Sequence, residues 1–316
     1  MINLQIIGRF TLTEGVTHIL NIIDIGYKKL EVLIQGEGTP IIIHPGMVSS
    51  IIEWESLATE LSKEAKVILY NRAGCGKSEK GIKSRNVSEN TKDLKALINK
   101  LELDAPIIVG HSYGGLCLQY FGMEYPKVAS GFILIDSTSV DSHLLDEVEI
   151  KGGDENSTEA WIQKCKWYST LTPKQLEIEM KDWIAGLQEV IPENRHVEIK
   201  DYMSNPVMFE ALREELEGDP KFINEIKEFG KLPDIPTIII GRDPNVSIND
   251  MIVEEGISFQ EAEKIENIWQ TLIKNQTKLN DKVEYVLAKK AGHNIHSDNP
   301  TVIKNAILSL LASIPQ

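Results

Sequence analysis

The pentapeptide Gly110-His111-Ser112-Tyr113-Gly114 carries the strongest chemical signal in the chain, a G-x-S-x-G pattern between a predicted buried strand and a predicted helix. Glycines on either side of a serine permit a sharp strand-to-helix turn, which exposes the hydroxyl at a helix N-terminus. A serine hydroxyl is a weak nucleophile until a base takes its proton, so Ser112 requires a histidine and a carboxylate to orient it. Of the seven histidines, His293 in Ala291-Gly292-His293-Asn294 follows the last predicted strand and falls at the sheet edge where Ser112 must also lie. His293 is therefore the expected base. His296 reads as support for the same loop, and His111 as pointing into the structure. His18, His143 and His196 lie far from the other signals and read as surface or packing residues.

Asp243 in Gly241-Arg242-Asp243-Pro244 ends another predicted strand and completes the chain order Ser, Asp, His, so it is the expected acid. Asp136, at the end of the preceding strand, competes with it because both strand ends point to the edge where open α/β sheets bind ligands. Asp250 also stays open, and the plain reading of either strand-end aspartate is a helix or loop cap. Acyl transfer further needs N–H donors aimed at the developing oxyanion. The backbone N–H of Tyr113 is one; the other comes from His44-Pro45-Gly46-Met47, with Met47 expected, Gly46 the alternative and Pro45 excluded for want of an N–H.

A second segment, Asn71-Arg72-Ala73-Gly74-Cys75-Gly76-Lys77-Ser78, ends like a phosphate-binding loop. Its first position holds Asn71 where glycine is needed, and Lys77-Ser78 runs into Glu79-Lys80-Gly81 instead of an apolar helix. Nucleotide binding is not expected from it.

The elements that must position these residues are legible as alternating runs. Residues 40–44, 66–70, 106–110, 131–136 and 237–241 are aliphatic and too short for helices, as suits strands buried on both faces of a parallel sheet. Two or three strands precede them, around residues 17–24 and 29–35, and residues 283–288 are the last candidate. Helical periodicity falls at residues 54–62, from a cap candidate at Ser88, at 115–124, from a Ser258/Glu261 capping box, and at 301–311. This βαβ alternation predicts a doubly wound sheet. The rhythm stops between about 137 and 232, a stretch without a buried-strand run that reads as a helical insertion.

A chain of 316 residues with 42% hydrophobic and 25% charged residues is globular, of one or two domains. Its net charge of −14 disfavours nucleic acid and anionic membrane surfaces as partners. The insertion holds 21 acidic and 11 basic residues, and so most of that charge. Three widely spaced cysteines, Cys75, Cys117 and Cys165, form neither a disulfide framework nor a metal pair, which suits a reducing cytoplasm. Residues 1–10 do not read as a secretory leader, and no apolar run is long enough to span a membrane.

Gly110–Gly114, Gly292-His293 and residues 71–78 together resemble the α/β-hydrolase superfamily, over about residues 29–136 and 236–312. The resemblance implies an eight-stranded, mostly parallel sheet with helices on both faces, and no cofactor or metal. It also implies a helical cap after the sixth strand, giving a core of residues 1–136 and 233–316 and a cap of 137–232. By that likeness Ser112 is nucleophile, His293 base and Asp243 acid, with Met47 and Tyr113 as oxyanion donors. Two positions depart from the family pattern: His44-Pro45-Gly46 stands where many members have His-Gly, and the usual place of the acid, three residues after the strand's glycine, holds Pro244. Haloalkane dehalogenases and epoxide hydrolases of this family carry aspartate at the nucleophile position, and Ser112 argues against both.

The expected function is a cytoplasmic serine hydrolase cleaving a carboxylic ester, with Trp161, Trp167, Trp183, Met180, Met203 and Met208 as candidate lining for an apolar acyl pocket in the cap. The acidic cap favours neutral or amine-bearing substrates over anionic ones. An aminopeptidase of the same fold is one alternative. Another is a ligand-sensing or stress-signalling protein that keeps the triad and presents its cap to a protein partner.

Overall fold

Aliphatic runs too short for helices form the centre of a single twisted sheet. The computed structural model describes residues 5–11, 17–151 and 157–314, with side chains from residue 20 onward. The side chains of residues 1–10 and of His18 lie outside the described residues. The strands are β1 (Gln5–Thr11), β2 (Thr17–Asp24), β3 (Lys29–Gln35), β4 (Pro40–His44), β5 (Lys66–Tyr70), β6 (Ile107–His111), β7 (Gly131–Ile135), β8 (Thr237–Arg242) and β9 (Val283–Ala288). Their spatial order is β1-β2-β3-β5-β4-β6-β7-β8-β9. Pairings from β5 through β9 are parallel, and those joining β1, β2, β3 and β5 are antiparallel. The eight expected strands are β2 to β9, and β1 adds an edge.

Helices α1 (Ile51–Leu61), α2 (Val87–Lys100) and α3 (Tyr113–Glu124) alternate with β4 to β7. Between β7 and β8 the described residues form helices and no strand: α4 (His143–Asp146), α5 (Thr158–Tyr168), α6 (Pro173–Glu179), α7 (Lys181–Val190), α8 (His196–Met203) and α9 (Pro206–Phe229). The chain then continues through α10 (Pro244–Glu254), α11 (Phe259–Asn275), α12 (Ile295–Asp298) and α13 (Pro300–Ser313). The Ser258/Glu261 capping box starts α11 as read from the sequence. The cap of α2 is Asn86 rather than Ser88, because the Asn86 side chain accepts from the Glu89 N–H and leaves Ser88 inside the first turn.

Successive isoleucines in β4 serve opposite layers. Ile41 and Ile43 pack with α1 and α13, whereas Ile42 packs with α2, α3 and α11. Burial on both faces explains why these strands read as unbroken aliphatic runs. The inserted helices have a core of their own around Cys165, Leu176, Met203 and Phe209. Acidic side chains of α9 dock it on the segment that follows β5: Glu215 pairs with Arg72, Glu210 and Glu214 reach Lys80 at 3.0 and 2.7 Å, and Asp219 accepts from the Val87 N–H at 2.8 Å. Part of the insertion's negative charge is therefore spent on attachment. Among the described residues no helix is long and apolar enough to cross a membrane.

Candidate active site

Because β6 ends at His111 and α3 begins at Tyr113, Ser112 alone makes the turn between them. It does so at φ 52°, ψ −122°, a positive-φ conformation that a residue with a side chain rarely adopts. Neighbouring strands hold it there. The Ser112 N–H donates to the Ile135 carbonyl at 2.9 Å, and the Ser112 carbonyl accepts from Gly115 and Thr138 at 2.9 and 3.0 Å. Close packing explains the flanking glycines: a Cβ on Gly110 would lie 2.7 Å from the Gly114 carbonyl oxygen, and one on Gly114 would strike the His44 carbonyl.

His293 lies in the loop between β9 and α12, and its Nδ1 is 2.6 Å from Asp136 Oδ2. Asp136 is fully buried, whereas the His293 side chain is 37% exposed. The other carboxylate oxygen, Oδ1, accepts from Trp269 Nε1 at 2.8 Å and from the Arg242 backbone at 3.4 Å. The Arg242 guanidinium lies 3.6 Å from Oδ2 and also pairs with Glu266 at 2.5 Å. Burial alone would raise the Asp136 pKa; the Arg242 charge and the His293 and Trp269 hydrogen bonds outweigh it, so the carboxyl is held below its ordinary range.

Asp243, expected at this position, is elsewhere. Pro244 occupies the first turn of α10, which makes Asp243 the N-cap, and its Oδ1 accepts from the Asn245 N–H at 3.0 Å. Its second oxygen accepts from the Lys290 N–H at 2.9 Å, the contact that most lowers its pKa, while its own N–H donates to the Ala291 carbonyl at 2.8 Å. Asp243 thus ties the loop carrying His293 to α10, and Asp136 meets the imidazole. Asp250 approaches the loop at Gly292, where an added Cβ would be 3.0 Å from its carboxylate.

The loop after β4 passes directly over the nucleophile. A Cβ on Gly46 would lie 3.0 Å from Ser112 Cβ and 3.1 Å from His111 Nδ1. Met47 follows, half-buried, then Val48 at φ 61° before the Ser50 cap of α1. Of the remaining histidines, His111 is buried as read from the sequence, and its Nε2 is 3.0 Å from the His293 carbonyl oxygen. His296 is buried too, stacked on Trp54 with ring centroids 4.2 Å apart. The segment 71–78 is a structural turn: Asn71 accepts from the Ile51 N–H at 3.0 Å and donates to Glu31 at 2.7 Å, and Ser78 Oγ donates to the Asn71 carbonyl at 2.7 Å. Cys75 and Cys117 are packed inside, free and with raised thiol pKa values through burial.

Ser112 and His293 open into one cavity of about 840 Å³ between the sheet edge and the inserted helices. Met47, Trp161, Trp183 and Met203 line it; Trp167, Met180 and Met208 do not. Cys165 also lines it, with burial pushing its thiol to about 12. Among the described residues, the charged lining other than histidine is acidic: Glu53, Asp182, Glu254 and Asp298. Among the described residues, no group of three or more histidine, cysteine or acidic side chains is placed to hold a metal ion.

Residues 39–172 match a family model described as the alpha/beta hydrolase fold. RutD of Azorhizobium caulinodans is 32% identical over 96 residues, which cover 30% of this chain and 35% of that protein. A 2-hydroxy-6-oxo-2,4-heptadienoate hydrolase of Pseudomonas putida is 29% identical over 153 residues, covering 48% of this chain and 52% of that one. The chain thus spans about a third to a half of these two relatives. The enol-lactonase from Burkholderia xenovorans superposes with a TM-score of 0.64 at 15% identity, over 91% of this chain and 98% of the other, a likeness of fold.

Proposed function

We propose that this protein, which has the α/β-hydrolase fold, is a serine hydrolase that cleaves a carboxylic ester through an acyl-enzyme on Ser112. The observation that carries the reading is the strained Ser112 turn opening into the same cavity as His293, whose Nδ1 is held by a buried carboxylate. Roles follow from those positions. With Nδ1 engaged by Asp136, Nε2 is the nitrogen left to accept the Ser112 proton as Oγ attacks the ester carbonyl carbon. His293 passes that proton to the departing alcohol. Water then attacks the acyl-enzyme, giving one proton to His293, and collapse returns it to Ser112 as the acid leaves. Asp136, in place of Asp243, orients the imidazole and stabilises the imidazolium. The Tyr113 and Met47 N–H groups are assigned to the oxyanion, supported by the loop's contact with Ser112 at Gly46.

Trp161, Leu187, Met203 and Leu212 suit an apolar acyl chain, and the acidic lining, with no lysine or arginine among the described residues, disfavours an anionic substrate. That acidic lining also supports the second reading, a peptidase that grips a free amine.

A panel of short-acyl nitrophenyl esters and aminoacyl-arylamides tests both, with Ser112→Ala as control. Ester turnover is expected to fall by roughly 10⁴- to 10⁶-fold in the variant. Arylamide turnover without ester turnover would favour the peptidase. Equal rates in wild type and Ser112→Ala on every substrate would remove the serine-hydrolase reading.

A further inference from the structure

His111 lies next to the nucleophile in sequence, yet its ring is directed at the loop of the base. It ends β6, is 3% exposed, and sits among three aromatic rings: His293 at 4.8 Å between centroids, His296 at 5.2 Å and Trp54 at 5.7 Å. Its Nε2 stands 3.0 Å from the carbonyl oxygen of His293. A carbonyl oxygen only accepts, so Nε2 must carry the proton. Nδ1 faces Gly46, where an added Cβ would come within 3.1 Å, and it has no hydrogen-bond partner among the described residues. One buried ring therefore touches the loop assigned to the oxyanion, precedes the nucleophile, and bonds to the main chain of the base.

We propose that His111 is a positioning residue, a neutral Nε2–H imidazole that fixes the backbone of His293 and so sets where the base stands relative to Ser112. The Asp136 hydrogen bond holds the His293 ring at one atom, Nδ1, and does not by itself fix the residue's main chain. The bond from His111 to the carbonyl oxygen holds that main chain. Burial, followed by the neighbouring His293 and His296, pushes the His111 pKa well below its ordinary value. The anchor consequently stays uncharged when His293 takes up a proton during turnover. Gly46 keeps this approach open: a Cβ there would stand 3.0 Å from Ser112 Cβ and 3.1 Å from His111 Nδ1, so those neighbours would have to give by a few tenths of an ångström.

This inference rests on His293 acting as base, and the test separates the two. Full-length wild type, His111→Gln and His111→Leu are compared, with Ser112→Ala as blank, for fluorophosphonate labelling rate and for kcat and KM on a nitrophenyl ester. The glutamine amide supplies an N–H near the position of Nε2; leucine supplies none. Expected is a fall in kcat of about 100-fold in the leucine variant, with KM nearly unchanged, and recovery of most of that loss by glutamine. Imidazole ¹⁵N spectra of wild type should place the His111 proton on Nε2. The low-field proton of the His293–Asp136 bond should persist in His111→Gln and vanish in His111→Leu. A proton on Nδ1, or a folded leucine variant with wild-type kcat and an intact low-field proton, would overturn the proposal. If leucine prevents folding, glutamine variant kinetics and the wild-type spectrum decide: near-wild-type kcat and an Nε2 proton support the anchor, and failure of either overturns it. If wild type is neither labelled nor active, the serine-hydrolase reading falls, while the spectra still decide the anchor.

Discussion

Asp136 and Asp243 end neighbouring parallel strands, β7 and β8, yet their surroundings differ completely. Asp136 is fully buried against Trp269, Arg242 and His293. Asp243 is only half-buried, and its three carboxylate hydrogen bonds come from the backbone and side chain of Asn245 in its own turn and from the Lys290 N–H in the loop opposite. Both lower their pKa, for different reasons: a charge and directed hydrogen bonds overcoming burial at Asp136, backbone N–H groups at Asp243. The contrast teaches that nearness to the reacting edge does not assign the acid. What does is a desolvated position with an orienting set of donors, in which a carboxylate can act on one imidazole nitrogen.

The largest effect that should separate them is catalytic. Asp136→Asn should lower kcat by about 10⁴-fold, by favouring the wrong tautomer of His293, while Asp243→Asn should stay within a few-fold of wild type. Ester turnover with both variants shown to be folded measures this, and the reverse pattern would restore Asp243 as the acid. Next comes Arg242→Met, which leaves Asp136 and Glu266 without their cation. Loss of one partner of a buried pair costs about 3–5 kcal/mol, readable as a shift in denaturant midpoint. The sign with pH follows from the depressed Asp136 pKa. An acid held low in the folded state contributes stability above its unfolded pKa and loses it as pH falls through the folded one. Removing Arg242 raises the folded value, so acid unfolding should set in at higher pH than in wild type. The smallest effect belongs to Asp243→Ala, which should cost about 1 kcal/mol through loss of the α10 cap, with turnover little changed. A loss of turnover approaching that of Asp136→Asn, without comparable destabilisation, would erase the distinction.

Only part of this contrast is legible in the sequence, which offers both aspartates and favours Asp243 as the acid. Asp243-Pro244 has the pattern of a helix cap followed by proline at the first helical position, and that is its structural use. Ser112 and His293 were readable because a strand, a tight turn and a helix are local, and local chemistry survives into the fold. Asp136 could be named as a strand-end candidate but not chosen. Its deciding donor, Trp269, is 133 positions away in sequence, on a helix whose rotation about its axis the hydrophobic pattern does not fix finely enough. The same holds for His111: its burial was readable, its bond to a carbonyl 182 positions on was not.

Charge shows the same division. The sequence placed most of the −14 in the insertion, which suggested an effect on approaching substrates. Packing divides that charge between two tasks, since Glu210, Glu214, Glu215 and Asp219 dock α9 whereas Asp182 lines the cavity. The amino-acid sequence by itself determined the alternation of strands and helices, the position of the inserted helices, and the serine and histidine at one sheet edge, because each is written in residues adjacent in the chain. Tertiary structure alone decided which aspartate meets the imidazole, which ring anchors its backbone, and which indoles and methionines face the cavity, because those outcomes depend on desolvation and on partners supplied by distant segments.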